Sequence, residues 1–179
     1  MKTTNTSTPI PENGTVLVAT GDDLNWLKAN ATLGQKLNVE KQLYINGKNV
    51  SLTPSMSIVN GSPQLVKNGK ISIDAKQEGF DYSTEFYYDF GLTRQPRTLA
   101  GIKANGDLIF VTVDGRSPEN SIGVSFHESA ELLKSLGAVS AINLDGGGSS
   151  TMVINGKLVN QPSDSTGERP IGDGIFITK

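Results

Sequence analysis

Ser125-Phe126-His127-Glu128-Ser129-Ala130-Glu131-Leu132-Leu133-Lys134-Ser135-Leu136-Gly137 runs directly into Ala138-Val139-Ser140-Ala141-Ile142-Asn143-Leu144-Asp145-Gly146-Gly147-Gly148-Ser149-Ser150-Thr151-Met152. The first part reads as a helix. Ser125 and Glu128 stand at capping-box spacing, so each side chain can satisfy a backbone N–H that the first turn leaves open. Ala130, Leu133 and Leu136, with Leu132, form an apolar stripe at helical spacing, and Gly137 supplies the stop. Val139 to Leu144 then reads as a buried strand. It delivers a carboxylate, Asp145, at its end, followed by glycines and hydroxyls.

Outward from this unit, turn signals dominate. Six Asn-Gly pairs occur, and Asn-Gly supplies the positive φ angles of tight hairpins. Four of them, Asn46-Gly47, Asn68-Gly69, Asn105-Gly106 and Asn155-Gly156, separate β-rich runs and predict hairpins. Asp22 or Asp23 can cap a second helix reaching about Leu33, with Leu24, Leu27 and Ala31 on one face. The expected fold class is α+β: a mainly antiparallel mixed sheet with hairpins and two main helices. Residues 1–13 are mostly Thr, Ser, Pro and Asn and read as a flexible tail. No composition break follows, so 14–179 reads as one domain.

Composition excludes several classes. The 179 residues carry 16 Lys plus Arg against 18 Asp plus Glu, a formal net charge of -2, which argues against a nucleic-acid partner. No apolar run is long enough for a membrane span, and nothing behind Met1-Lys2-Thr3-Thr4 resembles a signal peptide. With no cysteine and a single histidine, His127, disulfides, thiolate chemistry and multi-His metal sites are out, and neither metal nor cofactor is expected. His127 reads as structural.

Asp145-Gly146-Gly147-Gly148-Ser149-Ser150 is the densest chemical signal. Consecutive glycines let backbone N–H groups converge on an anion such as phosphate, although a plain turn after a strand explains the same residues. A Walker loop is absent, because each Gly-Lys lacks the following Ser or Thr. An EF-hand from Asn143 would need Asp or Asn at Gly147 and Glu at Ile154. The second signal is arginine placement. Only Arg94, Arg97, Arg116 and Arg169 occur, the other twelve basic residues being lysine. Arg97, Arg116 and Arg169 flank strand ends, where a planar fork can grip phosphate bidentately. The third is Asp114, a second strand-end carboxylate. Asp114 and Asp145 offer the pair that glycosidic cleavage uses.

At these residues the chain resembles the phosphodiester glycosidase domain family. The matching stretches are Gly61-Ser62-Pro63-Gln64-Leu65-Val66-Lys67-Asn68-Gly69, Pro96 to Gly101, Val113-Asp114-Gly115-Arg116, Ala141 to Met152, Val159-Asn160-Gln161-Pro162-Ser163 and Glu168-Arg169-Pro170. The family's Arg-Thr-Ala-Ile-Gly is here Arg97-Thr98-Leu99-Ala100-Gly101. An Asn-Gly-x-Phe-like segment of the family has no counterpart before Thr15, so the chain is expected to lack the family's N-terminal portion and to self-associate or be covered by its tail.

The resemblance implies hydrolysis of a sugar-1-phosphodiester, with an N-acetylglucosamine-type sugar, in an extracellular or cell-envelope setting such as bacterial exopolysaccharide metabolism. Asp145 is then the expected nucleophile or base, with Asp114 its partner. Arg97, Arg116 and Arg169 are the expected phosphate ligands. Asn143, Gly146, Gly147, Gly148, Ser149 and Ser150 are expected to contact sugar or phosphate. The alternative is a carbohydrate- or phosphoglycan-binding module without turnover, from an envelope or phage-associated protein.

Overall fold

The structure, a computed structural model, describes residues 9–45 and 47–178. The tail expected over 1–13 therefore falls mostly outside the described residues, as does Asn46 of the first hairpin. The chain separates into two units, Met1–Met56 and Ser57–Lys179. No composition break marks that point in the sequence, which is why 14–179 read as continuous.

The first unit holds helix α1 (Gly21–Asn30) and the hairpin β1 (Leu43–Ile45) to β2 (Lys48–Val50). None of its described residues is buried. Helix α1 starts two or three residues earlier than expected and stops short of Leu33. Its N-cap is Thr20, without a side-chain bond, so Asp22 and Asp23 do not cap it. They lie in the first turn, where carboxylates complement the helix dipole.

The second unit is built on five antiparallel strands in the order β4 (Lys70–Ile71), β3 (Gln64–Lys67), β7 (Ala138–Asn143), β5 (Arg97–Lys103), β6 (Leu108–Val113). Every pairing in this sheet is antiparallel. All four Asn-Gly hairpins form, including a separate ribbon of β8 (Val153–Ile154) and β9 (Lys157–Leu158). Asn68 and Asn155 take φ values of 51° and 52°, as such turns require.

Helix α3 (Phe126–Ser135) covers one face of the sheet, with the complete capping box at Ser125 and Glu128. Phe126, Ala130 and Leu133 meet Leu65, Val66, Leu99, Ala138 and Ala141 there. Side chains alternate in β5: Arg97, Leu99 and Gly101 point to the buried face, Thr98 and Ala100 to the other. Arg97 thus occupies a core-facing slot.

Between β4 and β5 the chain makes irregular helical turns, Lys76–Phe80, α2 (Thr84–Tyr87) and Tyr88–Leu92. Leu99 pairs with Asn143 and Arg97 with Val113. This register gathers the starts of β3 and β5 and the ends of β6 and β7 at one end of the sheet. Arg97, Asp114, Arg116, Asn143 and Asp145 are all delivered to that end by hydrogen-bonded strands.

Candidate functional site

Beyond the end of β7 lies a cavity of about 840 Å³. Arg97, Arg116, Arg169, Asn143 and Asp145 line it, together with Gly146, Gly147 and Gly148. Eight of the eleven residues expected from sequence are therefore in one place.

Arg97 is 3 % exposed. Its Nε donates to the carbonyl of Val124 at 3.0 Å, and its Nη2 donates to the carbonyls of Phe90 and Thr93. Burial, and then the neighbouring charge of Arg116, push its pKa down to about 10. A buried cation is costly unless a counter-charge or hydrogen bonds replace water. Here backbone carbonyls do so in part, and among the described residues no carboxylate pairs with Arg97 or Arg116. The two guanidiniums repel each other, which leaves a positive field that an anion would neutralise.

Arg116 is held by a hydrogen bond from its Nε to Oε1 of Gln95, 2.9 Å. It lies against the backbone of Gly147, where a Cβ would come 3.2 Å from the guanidinium. Gly147 also has φ +59°. Arg169 donates to Oγ of Ser149 at 2.9 Å and pairs with Asp164 at 3.3 Å.

The glycines act differently from the expected anion nest. Gly146 N–H donates to Oδ1 of its neighbour Asp145, and Gly147 N–H to the carbonyl of Pro96, both at 2.9 Å. Two of the three donors are thus engaged within the protein. What the glycines supply is close approach. A Cβ on Gly146 would meet the Pro96 carbonyl, and one on Gly148 would strike the Asp164 carboxylate.

Asp145 is exposed and makes no ion pair among the described residues. It also lines a second, more apolar cavity of about 460 Å³, which Ser149 shares. Asn143 is buried. Its Nδ2 donates to the Ser62 carbonyl at 2.7 Å, while its Oδ1 has no partner. Ser150 is 1 % exposed, with an unpartnered Oγ, and lines neither cavity.

Asp114 is not brought to Asp145's cavity. Its Oδ1 accepts from Asn160 Nδ2 at 3.1 Å and from the backbone N–H of Gln161 at 2.9 Å. Asn160 in turn accepts from Met152 N–H and donates to the Ser150 carbonyl. Asp114 therefore braces the loop behind the glycines. A different carboxylate, Asp173, lines both cavities with Asp145. No spacing rule in the sequence links Asp173 to Asp145. His127 is exposed on α3, 3.4 Å from Glu131.

Residues 1–178 match the model of the phosphodiester glycosidase family. This chain belongs to that family. A 114-residue stretch of this chain is 36 % identical to N-acetylglucosamine-1-phosphodiester alpha-N-acetylglucosaminidase of Bos taurus, covering 62 % of the chain and 21 % of the relative. Among solved structures, a Burkholderia pseudomallei K96243 protein described as exported has TM-score 0.73 and 40 % identity, covering 85 % of this chain and 31 % of that one. The zebrafish N-acetylglucosamine-1-phosphodiester alpha-N-acetylglucosaminidase catalytic domain, auto-inhibited by its pro-peptide, has TM-score 0.51 and 33 % identity, covering 58 % of this chain and 34 % of that one. The chain spans about a fifth of the length of the curated relatives it matches. Among the described residues no helix is long and apolar enough to cross a membrane.

Proposed function

We propose that this site hydrolyses sugar-1-phosphodiesters, breaking the bond between the anomeric carbon and a phosphate oxygen. One observation carries the reading: Asp145, with no ion pair among the described residues, shares a cavity with two guanidiniums that have no acidic partner among them. The diester enters with one negative charge. When the C1–O bond breaks, its electron pair stays on the departing oxygen, and the phosphate leaves as a monoester with a second charge. Arg97 and Arg116 stabilise that developing charge, so no strong general acid is needed. Asp145 attacks C1 or takes the proton of the attacking water. Asp173 takes the second carboxylate's place that the sequence suggested for Asp114. Asn143 lines the same cavity, where its side-chain amide holds the Ser62 carbonyl.

The test is release of free sugar from a sugar-1-phosphodiester, with an aryl glycoside of the same sugar as control. Turnover of the phosphodiester at a rate well above the control is expected. Equal rates, or none on either, would remove the reading. A second reading, binding without turnover, draws on the engagement of Asp114 elsewhere; it expects saturable sugar-phosphate binding and no free sugar. An extracellular or envelope setting is proposed by analogy with the Burkholderia protein described as exported.

A further inference from the structure

The wall facing the arginines is made of phenyl rings. Phe80, Phe86 and Phe90 come from the irregular turns between β4 and β5, and Phe126 from the start of α3. Their ring centroids form a connected run: Phe86 to Phe90 4.6 Å, Phe80 to Phe86 5.6 Å, Phe80 to Phe126 5.2 Å. All four line the cavity that holds Arg97, Arg116 and Asp145. Phe126 is core, but Phe90 is 44 % exposed, so the run opens from the interior into the cavity. The wall is tied to the charge at two residues: Arg97 donates to the carbonyl of Phe90, and its guanidinium lies over the Phe126 ring.

Two features indicate what fits against it. Phenylalanine has no polar tip, unlike the tyrosine and tryptophan that serve where one end of a ring must hydrogen-bond. Two polar side chains of the same cavity, Ser62 and Gln95, are also already engaged. Ser62 donates to Glu78, and the Gln95 amide donates to the Asp89 carbonyl and to Thr93 while accepting from Arg116. A sugar laid on this wall would find little to satisfy its hydroxyls. A hydrocarbon would lose nothing, and its phosphate would lie at the guanidiniums.

We propose that the phenyl wall is the subsite for an apolar group esterified to the phosphate, so that the preferred substrates are sugar phosphodiesters with an alkyl, prenyl or aryl aglycone. This rests on the phosphodiester glycosidase reading above for its place in the reaction, but its test does not require turnover. Calorimetric titration of the whole chain with methyl phosphate, hexyl phosphate and N-acetylglucosamine 1-phosphate compares the charge site alone with each neighbour. Hexyl phosphate is expected to bind about tenfold or more tightly than methyl phosphate, since each buried methylene adds affinity. Phe86→Ala and Phe90→Ala are expected to cost hexyl phosphate at least about tenfold more than they cost methyl phosphate. Phe90→Leu, which keeps apolar bulk, covers the case in which an alanine variant fails to fold, and is expected to retain the preference for the hexyl ester.

Equal affinity for methyl and hexyl phosphate overturns the proposal. So does a selective loss of N-acetylglucosamine 1-phosphate binding in the phenylalanine variants, which would make the wall a sugar platform. A chain-length effect on binding without any release of sugar would leave this inference standing and remove the glycosidase reading instead.

Discussion

The guanidinium carbon of Arg97 lies 4.3 Å from the centroid of the Phe126 ring. One face of the cation is thus covered by an aromatic ring, while its edge donates to the Val124, Phe90 and Thr93 carbonyls. This arrangement holds a charge in a core-facing position of β5 without neutralising it. The flat, forked group does this; a lysine has neither the stacking face nor the fan of donors.

Arg97→Lys is accordingly expected to fail on both counts. Hydrogen bonds to charged groups contribute about 1.5–3 kcal/mol each, and more than one is lost. Thermal denaturation should show a melting temperature lower by several degrees, and methyl phosphate affinity should fall by about tenfold or more. An unchanged melting temperature would mean that the carbonyl contacts contribute nothing.

The pKa of Arg97, lowered to about 10 from the ordinary guanidinium value, has a sign that can be checked. As pH rises through about 10, folded Arg97 loses its proton first, and affinity for a phosphate ester should decline. Over the same window the unfolded chain holds more protons than the folded one, so this group's contribution to stability increases with pH. Titrating methyl phosphate affinity from neutral pH upward tests this. A plateau extending past pH 11 (about one unit above the shifted value) would refute the shift.

Asp145→Asn and Asp114→Ala should separate chemistry from bracing. Asp145→Asn keeps shape and removes charge at an exposed site, so turnover should fall by about 100-fold or more with little change in melting temperature. Asp114→Ala deprives Asn160 and Gln161 of their acceptor. The expected cost is about 1–3 kcal/mol of stability with a smaller loss of rate. The reverse pattern would return the catalytic role to Asp114. Asp173→Asn should resemble Asp145→Asn rather than Asp114→Ala.

Glu128 joins the Arg94 guanidinium to the cap of α3, and these bonds hold its pKa down to about 2. A carboxyl whose folded pKa is depressed gives stability that is complete above its unfolded value and is lost as pH falls toward the folded one. Acid melting between pH 4.5 and about 2 should therefore be steeper in the parent than in Glu128→Gln. Parallel curves would show that the cap and ion pair carry no net stability.

Gly148→Ala tests the close approach. The added methyl would occupy the position of the Asp164 carboxylate, which pairs with Arg169. Overpacking of this kind costs about 1–3 kcal/mol. Displaced Asp164 should also loosen Arg169, so methyl phosphate affinity should change along with the melting temperature. A normal affinity would place Arg169 outside the phosphate site.

The parts of this molecule that were legible in sequence are those decided locally. Ser125 and Glu128 cap α3 because the box lies within one turn, and Asn68-Gly69 and Asn155-Gly156 turn because their dihedrals demand it. The place of Asp145 beside the cavity was legible because a strand, a carboxylate and glycines are contiguous. The misread features depend on distant partners. Asp114 is claimed by Asn160, 46 positions later. The Gly147 N–H looked free until Pro96 arrived from β5's entry. Phe80, Phe86 and Phe90 sit in turns with no sustained period, so nothing local marked them as one wall. Helix α1 was misjudged at its cap because Asp22 and Asp23 suit the first turn as well as the cap itself.

Arg116 carries φ +58°, a left-handed conformation that Asn68 and Asn155 tolerate far better than a long side chain does. Substituting glycine there would relieve roughly 1 kcal/mol of backbone strain while deleting a proposed phosphate ligand. The fold is therefore sturdier without the residue the chemistry wants. In a selection for heat resistance alone, this is a position where the protein would trade its activity away, and persistence of arginine under such drift would itself report that the site is in use.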